Sequence, residues 1–283
     1  MGTAVKHETG SLTDSQLARK ADEMRLSAVE MTFRSKAGHI GGSMSEMDLL
    51  TTLFYRVMDT ERMKNREPGR DYFVLSKGHS SEGYYSILAD WGFFPKEELK
   101  TYARYETRLM CHPSRKVPGV DIGTGALGHG VCVAVGIALG LKRQNRPGHV
   151  YVLMGDGEQA EGSVWEAAMA AGNYGLDNLT AIVDRNHLQI SGNTEDVMRL
   201  DPLPDKYRAF GFRTVEINGH DYGEITKALT ARTPGRPTAV LANTIKGKGV
   251  SFMENQAVWH HKILSEGQYE QAVREIRERL GDE

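Results

Sequence analysis

Between residues 149 and 245 the chain alternates in a way that leaves few folds open. "HVYVLMGDG", "NLTAIVDRN", "FRTVEING" and "PTAVLANTIKG" are short runs of mostly apolar and β-branched residues, the pattern of strands buried on both faces. "SVWEAAMAAGNYG" and "DYGEITKALTAR" separate members of the series and have helical composition. Strands that return after a helix pair in parallel, so the region predicts an α/β fold, a parallel sheet with helices on both faces. Ligands in such sheets bind beyond the carboxyl ends of the strands. The residues just past each strand are therefore the ones to read for chemistry.

The remaining segments extend this frame. "DSQLARKADEMRLSAVEMTFRSK" spaces Leu17, Met24, Ala28 and Met31 along one helical face. "AGHIGG" then forms a turn carrying His39, and "SMSEMDLLTTLFYRVM" predicts a second helix opened by a capping box from Ser43 to Glu46. "YFVLS" is a strand candidate, and "SSEGYYSILADWG" a helix after a turn holding His79. Residues 111–130 are loop by their glycines and prolines, "VCVAVGIALGLKRQ" predicts a fully buried helix, and "SEGQYEQAVREIRERLG" an amphipathic surface helix. With 283 residues and no repeat, low-complexity tract or linker, a single domain over 1–283 is expected.

Composition removes several classes of function. A net charge of −2 without long basic blocks argues against nucleic acid as a partner. No apolar stretch approaches the roughly 18 residues of a membrane span. The opening "MGTAVKHETGSLTDS" lacks the layout of a secretory signal. Cys111 and Cys132 have neither metal-ligand spacing nor a disulfide framework. A cytoplasmic placement is expected.

Asp156 lies at the carboxyl end of the strand candidate "HVYVLM", and Asn186 ends the next one thirty residues later. A strand, helix and return strand take about thirty residues, so the two side chains would emerge side by side at one sheet edge. Asp-Gly by itself is common turn chemistry, and an asparagine by itself is an ordinary loop residue. The pairing points further. Hard oxygen ligands converging there suit Mg²⁺ or Ca²⁺, and Mg²⁺ characteristically combines few protein ligands with phosphate oxygens. Gly157 and the start of the "SVWEAAMAAG" helix would offer N–H groups to the same diphosphate. "GTGALG" formally satisfies a dinucleotide fingerprint, but a poor strand precedes it and no acid lies between Gly123 and Asp156. His39, His79 and His112 stand in glycine- or proline-marked turns that can present an imidazole to a pocket, whereas His7, His149, His187 and His220 are read as structural.

"AGHIGGSMS", "SKGHSSEGYYS", "CHPS", "GTGALGHG", "GDGEQAEG", "DRNHLQISG" and "TIKGKG…WHHK" occur in this order over nearly the whole chain. Together they resemble the amino-terminal, diphosphate-binding half of a transketolase, an enzyme of the thiamine diphosphate-binding fold. The resemblance implies thiamine diphosphate and a metal ion bound by Asp156, Asn186 and the backbone carbonyl of Leu188. It implies that the Gly157 amide reaches the diphosphate and that Gly125, Ala126 and Leu127 lie against the cofactor, although many transketolases have proline or serine in place of Ala126. Glu161 matches an acid that ties the two halves of the site together. His39, His79, His112 and His260 match histidines lining the cofactor and substrate channel. His261 stands where the family commonly has glycine, as does Cys111; the Trp259 and Lys262 frame favours His260, with an exchange of roles between the two histidines left open.

In this family the carboxylate that acts on the aminopyrimidine ring comes from a separate pyrimidine-binding domain. Nothing here resembles that domain or the carboxyl-terminal one. The chain is then either a fragment or one product of a split enzyme, and its ordinary tail favours the second. The resemblance implies that the partner is a carboxyl-terminal, pyrimidine-binding subunit, that the assembly is an α2β2 heterotetramer, and that this chain is inactive alone. The reaction expected is transfer of a two-carbon ketol unit from a ketose, bearing phosphate or sulfonate, to an aldose. The small residues of "SVWEAAMAAGNYG" mark either an intersubunit contact or plain core. The alternatives are a deoxyxylulose-phosphate synthase-like or 2-oxo acid dehydrogenase-like component, or a non-catalytic homologue.

Overall fold

The computed structural model describes residues 12–281. Five helices and one strand come first: α1 (Asp14–Ser35), α2 (Ile40–Ser45), α3 (Met47–Thr52), α4 (Thr60–Lys64), β1 (Tyr72–Leu75) and α5 (Ser81–Asp90). After the long loop follow α6 (His129–Arg143), β2 (Val150–Gly155), α7 (Gly162–Asn173) and β3 (Leu179–Arg185). A two-rung hairpin, β4 (Leu188–Gln189) with β5 (Gly192–Asn193), leads to α8 (Thr194–Val197) and α9 (Leu203–Ala209). β6 (Arg213–Asn218), α10 (Tyr222–Thr230), β7 (Thr238–Asn243) and α11 (Glu266–Leu280) complete the described chain.

The main sheet has the order β1-β2-β3-β7-β6, and every neighbouring pair is parallel, as the alternation predicted. Its strands divide their side chains with period two. Phe73, Tyr151, Leu153, Ile182, Val240 and Ala242 enter one core, with α1, α3, α5, α10 and α11. Val74, Val152, Met154, Ala181, Val183 and Leu241 enter the other, with α6, α7 and α9. All seven residues of β3 are buried, which is why the strand carries no polar face to read. No helix among the described residues is long and apolar enough to cross a membrane.

Three details depart from expectation, and a fourth, on α7, decides between the two readings left open. The second helix starts at Ile40, and Ser43 lies buried inside it with no capping role. The turn ends at His39, with Gly38 at positive φ, and Gly41 serves close packing inside the helix, where a Cβ would come within 2.7 Å of the Trp259 carbonyl oxygen. α6 is not fully buried, since Val133 is 37% exposed on its outer face. The small residues of α7 (Val164, Ala167, Ala168 and Ala171) face the core, while Met169 and Tyr174 face outward. Lastly, the residues after Asp156 form a 3₁₀ turn, Gly157–Ala160, and α7 begins only at Gly162. That turn, not the helix, supplies the N–H groups next to Asp156.

Candidate functional site

Gly155 of β2 pairs with Asp184 of β3, so Asp156 and Asn186 leave adjacent strands at nearly the same level. Asp156 is buried; its Oδ1 accepts from the Gly157 amide at 2.7 Å and its Oδ2 from the His187 amide at 2.5 Å. Asn186 is buried beside it, with Oδ1 accepting from the Leu188 amide at 3.2 Å and Nδ2 donating to Asp184 at 3.2 Å. The Leu188 carbonyl accepts from Lys246 Nζ at 3.3 Å. Acid, amide and carbonyl thus share one corner at the carboxyl edge of the sheet. Burial, with the charge of Asp184 added, pushes the Asp156 carboxyl up to about 6, the strain a cation would relieve. These are hard oxygen donors, few in number, and they fit Mg²⁺ or Ca²⁺ sharing its remaining positions with phosphate oxygens. No group of three His, Cys, Asp or Glu side chains among the described residues is placed to hold a metal.

Beneath this corner lies a buried charge network. Lys77 Nζ contacts Asp184, Glu46 at 3.1 Å and the Gly42 carbonyl at 3.1 Å. Asp184 also accepts from Ser45 at 2.7 Å and from Thr244. Although burial opposes it, Lys77 holds Asp184 below the usual carboxylate range. Burial pushes Glu46 up to about 8 even against the pull of Lys77. Glu158 binds three segments: Oε1 accepts from Ser76 at 2.5 Å and the Gly128 amide at 2.8 Å, and Oε2 from the Gly155 amide at 3.0 Å. It holds the end of the loop bearing Gly125, Ala126 and Leu127 against β1 and β2.

The histidines converge above the carboxylates. The ring centroid of His39 lies 5.2 Å from His79, 6.1 Å from His112, 5.6 Å from His260 and 4.7 Å from His261. His79 and His260 stack at 5.1 Å. Burial is the main cause that lowers His39 to about 4 and His260 to about 3, and it takes His79 well below its ordinary value. Nearby histidines and lysines add to each shift. These three imidazoles are neutral at pH 7, able to donate from one nitrogen and accept at the other. His39 Nδ1 is buried without a partner, an atom left for a ligand.

A cavity of about 420 Å³ opens here, with His39, His79, His260, Asp156, Lys77 and Lys246 on its wall. Gly125, Leu127, Gly157, Glu161, Asn186 and Leu188 line it too. Ala126 is exposed and does not line it. His112 stands at the rim, where a Cβ on Gly125 would come 3.2 Å from its ring. Of the two adjacent histidines, His260 faces inward, its Nδ1 3.2 Å from Lys246 Nζ; His261 is exposed beside His39. His149 and His220 bond to Thr180 and Asp48 away from the cavity, and His7 lies outside the described residues. Sequence reasoning passed over Lys77, Lys246, Asp184 and Glu158. Lys77 follows β1 by two residues and Lys246 follows β7 by three, so the rule that sent attention to Asp156 applied equally to both.

Residues 16–283 match the model of the transketolase thiamine diphosphate-binding domain. The chain is 45% identical over 266 residues to an apulose-4-phosphate transketolase subunit from Phocaeicola vulgatus, covering 93% of this chain and 95% of that protein. It is 41% identical over 263 residues to the 6-deoxy-6-sulfo-D-fructose transketolase subunit SqwG of a Clostridium species, covering 92% and 96%. Against the crystal structure of Campylobacter jejuni transketolase the TM-score is 0.84 at 30% identity, over 94% of this chain but 43% of that one. Human transketolase is likewise matched over 41% of its length, at 36% identity. These matches lead to one conclusion: the chain belongs to the transketolase family, as its thiamine diphosphate-binding domain.

Proposed function

We propose that this chain is the cofactor-holding subunit of a split transketolase that moves a two-carbon ketol unit from a ketose to an aldose. The observation that carries this is the convergence, at one sheet edge, of the Asp156, Asn186 and Leu188 oxygens with neutral His39, His79 and His260. Asp156, Asn186 and the Leu188 carbonyl would hold Mg²⁺ or Ca²⁺, and the Gly157 amide would turn from Asp156 to the diphosphate. Lys246, pulled down to about 8 mainly by burial, would carry positive charge beside the same phosphates. Thiamine diphosphate, when bound, supplies a thiazolium carbanion equivalent and an electron sink for carbon–carbon cleavage.

The chain's own residues would orient the sugar. The neutral imidazoles of His39, His79 and His260, with His112 at the rim, donate to hydroxyls and to a carbonyl oxygen that gains charge, and relay protons near neutral pH. Neutral rings are poor partners for a terminal phosphate or sulfonate, Lys77 is held by Asp184, and Lys246 would be taken by the diphosphate. The terminal anion would be read mainly by a partner subunit. The names of the two relatives that are themselves subunits support such a partner, and so do exposed apolar side chains: Ile190 on the cavity wall is 73% exposed, and Val258 and Met110, each two residues before a histidine of the site, are 58% and 50% exposed. The partner would be a pyrimidine-binding chain in an α2β2 assembly.

The test is reconstitution with the partner polypeptide. Calorimetry with thiamine diphosphate and Mg²⁺, then assay of a panel of phosphorylated and sulfonated ketoses with an aldose acceptor, should show cofactor binding and ketol transfer. Pyruvate consumption with carbon dioxide release, and no ketol transfer, would instead establish a synthase or dehydrogenase component.

A further inference from the structure

We infer that Glu82 is a positioning residue of this site, fixing where His39 stands relative to His79 and His112; the inference rests on the transketolase reading. Glu82 is fully buried. Its Oε1 accepts from the His39 amide at 2.8 Å and from Tyr102 OH at 2.7 Å, and its Oε2 accepts from Ser43 OH at 2.7 Å. The three donors come from the turn before α2, from α2 itself and from the loop that goes on to His112. Glu82 sits three residues after His79, at the start of α5. One turn along the same helix, Tyr85 OH donates to the Met110 and His112 carbonyls at 2.9 and 3.2 Å. Glu82, with Tyr85 one turn on, thus joins all three segments that carry these histidines.

The dependence of His39 on this tie follows from what its ring lacks. Nδ1 has no partner, so no hydrogen bond from that nitrogen fixes the ring within its packing, and the main-chain N–H is bound by Glu82. Gly38 has φ of +125°, and a Cβ on it would fall 2.1 Å from Glu82 Oε1. The carboxylate occupies the space a side chain would need, so the turn and the acid are built to one another.

The test compares Glu82→Ala, Glu82→Gln and Tyr102→Phe in the complex with the partner subunit. In Glu82→Gln the amide oxygen still accepts from His39 and Tyr102, and its NH₂ donates to Ser43, so activity stays within about threefold of wild type. In Glu82→Ala kcat falls about tenfold or more and the KM for the ketose rises. Thiamine diphosphate affinity, read by calorimetry, stays within about threefold, because no group at the Asp156 corner is touched. Tyr102→Phe removes one tie while keeping the ring, loses activity in the same sense to a smaller extent, and serves if the alanine variant does not fold. A readout independent of turnover is the Hε1–Cε1 resonance of His39, assigned by its loss in His39→Gln. It should move in Glu82→Ala and Tyr102→Phe and stay in Glu82→Gln. Activity in Glu82→Ala within about twofold of wild type, an unmoved His39 resonance, or equal loss of cofactor affinity in both Glu82 variants overturns the inference. A wild-type complex without ketol transfer, whose His39 resonance still responds to Glu82→Ala, refutes the function and leaves the positioning intact.

Discussion

Lys77→Met isolates the buried charges under the site. The methionine keeps most of the apolar stem and deletes the ammonium. Lys77, Asp184 and Glu46 are 2%, 0% and 0% exposed, so solvent screens the remaining charges little. Asp184 retains Ser45, Thr244 and Asn186 as donors but has no countercharge in contact. Removing one partner from a buried pair costs about 3–5 kcal/mol, because the remaining charge is uncompensated. The sign of the pH dependence follows from Asp184. With Lys77 present its folded pKa is depressed, so the pair contributes stability above the unfolded carboxylate value of about 3.9 and loses it as pH falls. Without Lys77 burial dominates and Asp184 takes up a proton on folding. The variant's stability then falls by up to about 1.4 kcal/mol for each pH unit above that unfolded value. The gap between wild type and variant is therefore wide at pH 7.5 and narrow at pH 4.5. Urea denaturation of the chain at both pH values measures it, with Lys77→Met/Asp184→Asn as the control that restores most of the loss. A deficit below about 1 kcal/mol at pH 7.5, or an equal deficit at both pH values, would show that the ammonium does not compensate these carboxyls.

Three further outcomes are expected. Asp156→Ala should abolish metal-dependent retention of thiamine diphosphate in calorimetry while the circular dichroism spectrum is unchanged, since the side chain stands past the end of β2; full affinity would contradict the metal assignment. Gly41→Ala should destabilise the chain by about 1–3 kcal/mol in thermal or urea unfolding, because its Cβ meets the Trp259 carbonyl at 2.7 Å. His260→Ala should lower ketol transfer by about 10²-fold or more, whereas His261→Ala, on the exposed side of His39, should lower it by less than about tenfold; the reverse ranking would exchange their roles.

The sheet and its functional edge were legible because strands buried on both faces advertise themselves as apolar runs, and because parallel strands deliver their following residues to one side. Asp156 and Asn186 could be paired from sequence for that reason alone. The histidine turns were legible as resemblance, but the 4.7–6.1 Å distances from His39 to its neighbours were not. The Ser43 capping box misled because S-x-x-E describes a local preference, whereas in the fold the helix starts at Ile40 and packs Gly41 against Trp259, more than two hundred residues away. The small face of α7 suits a core and an interface equally well, and only the packed sheet beneath it decided for the core.

What the amino-acid order determined, then, was period and punctuation: which segments are strands, which are helices, and which side chains follow a strand. What the tertiary structure alone decided was the fate of buried charge. Lys77 meets Asp184 across 107 positions and Glu82 meets His39 across 43. Pairings at such separation leave no periodic trace, because the desolvation that makes them strong exists only once the chain has closed around them.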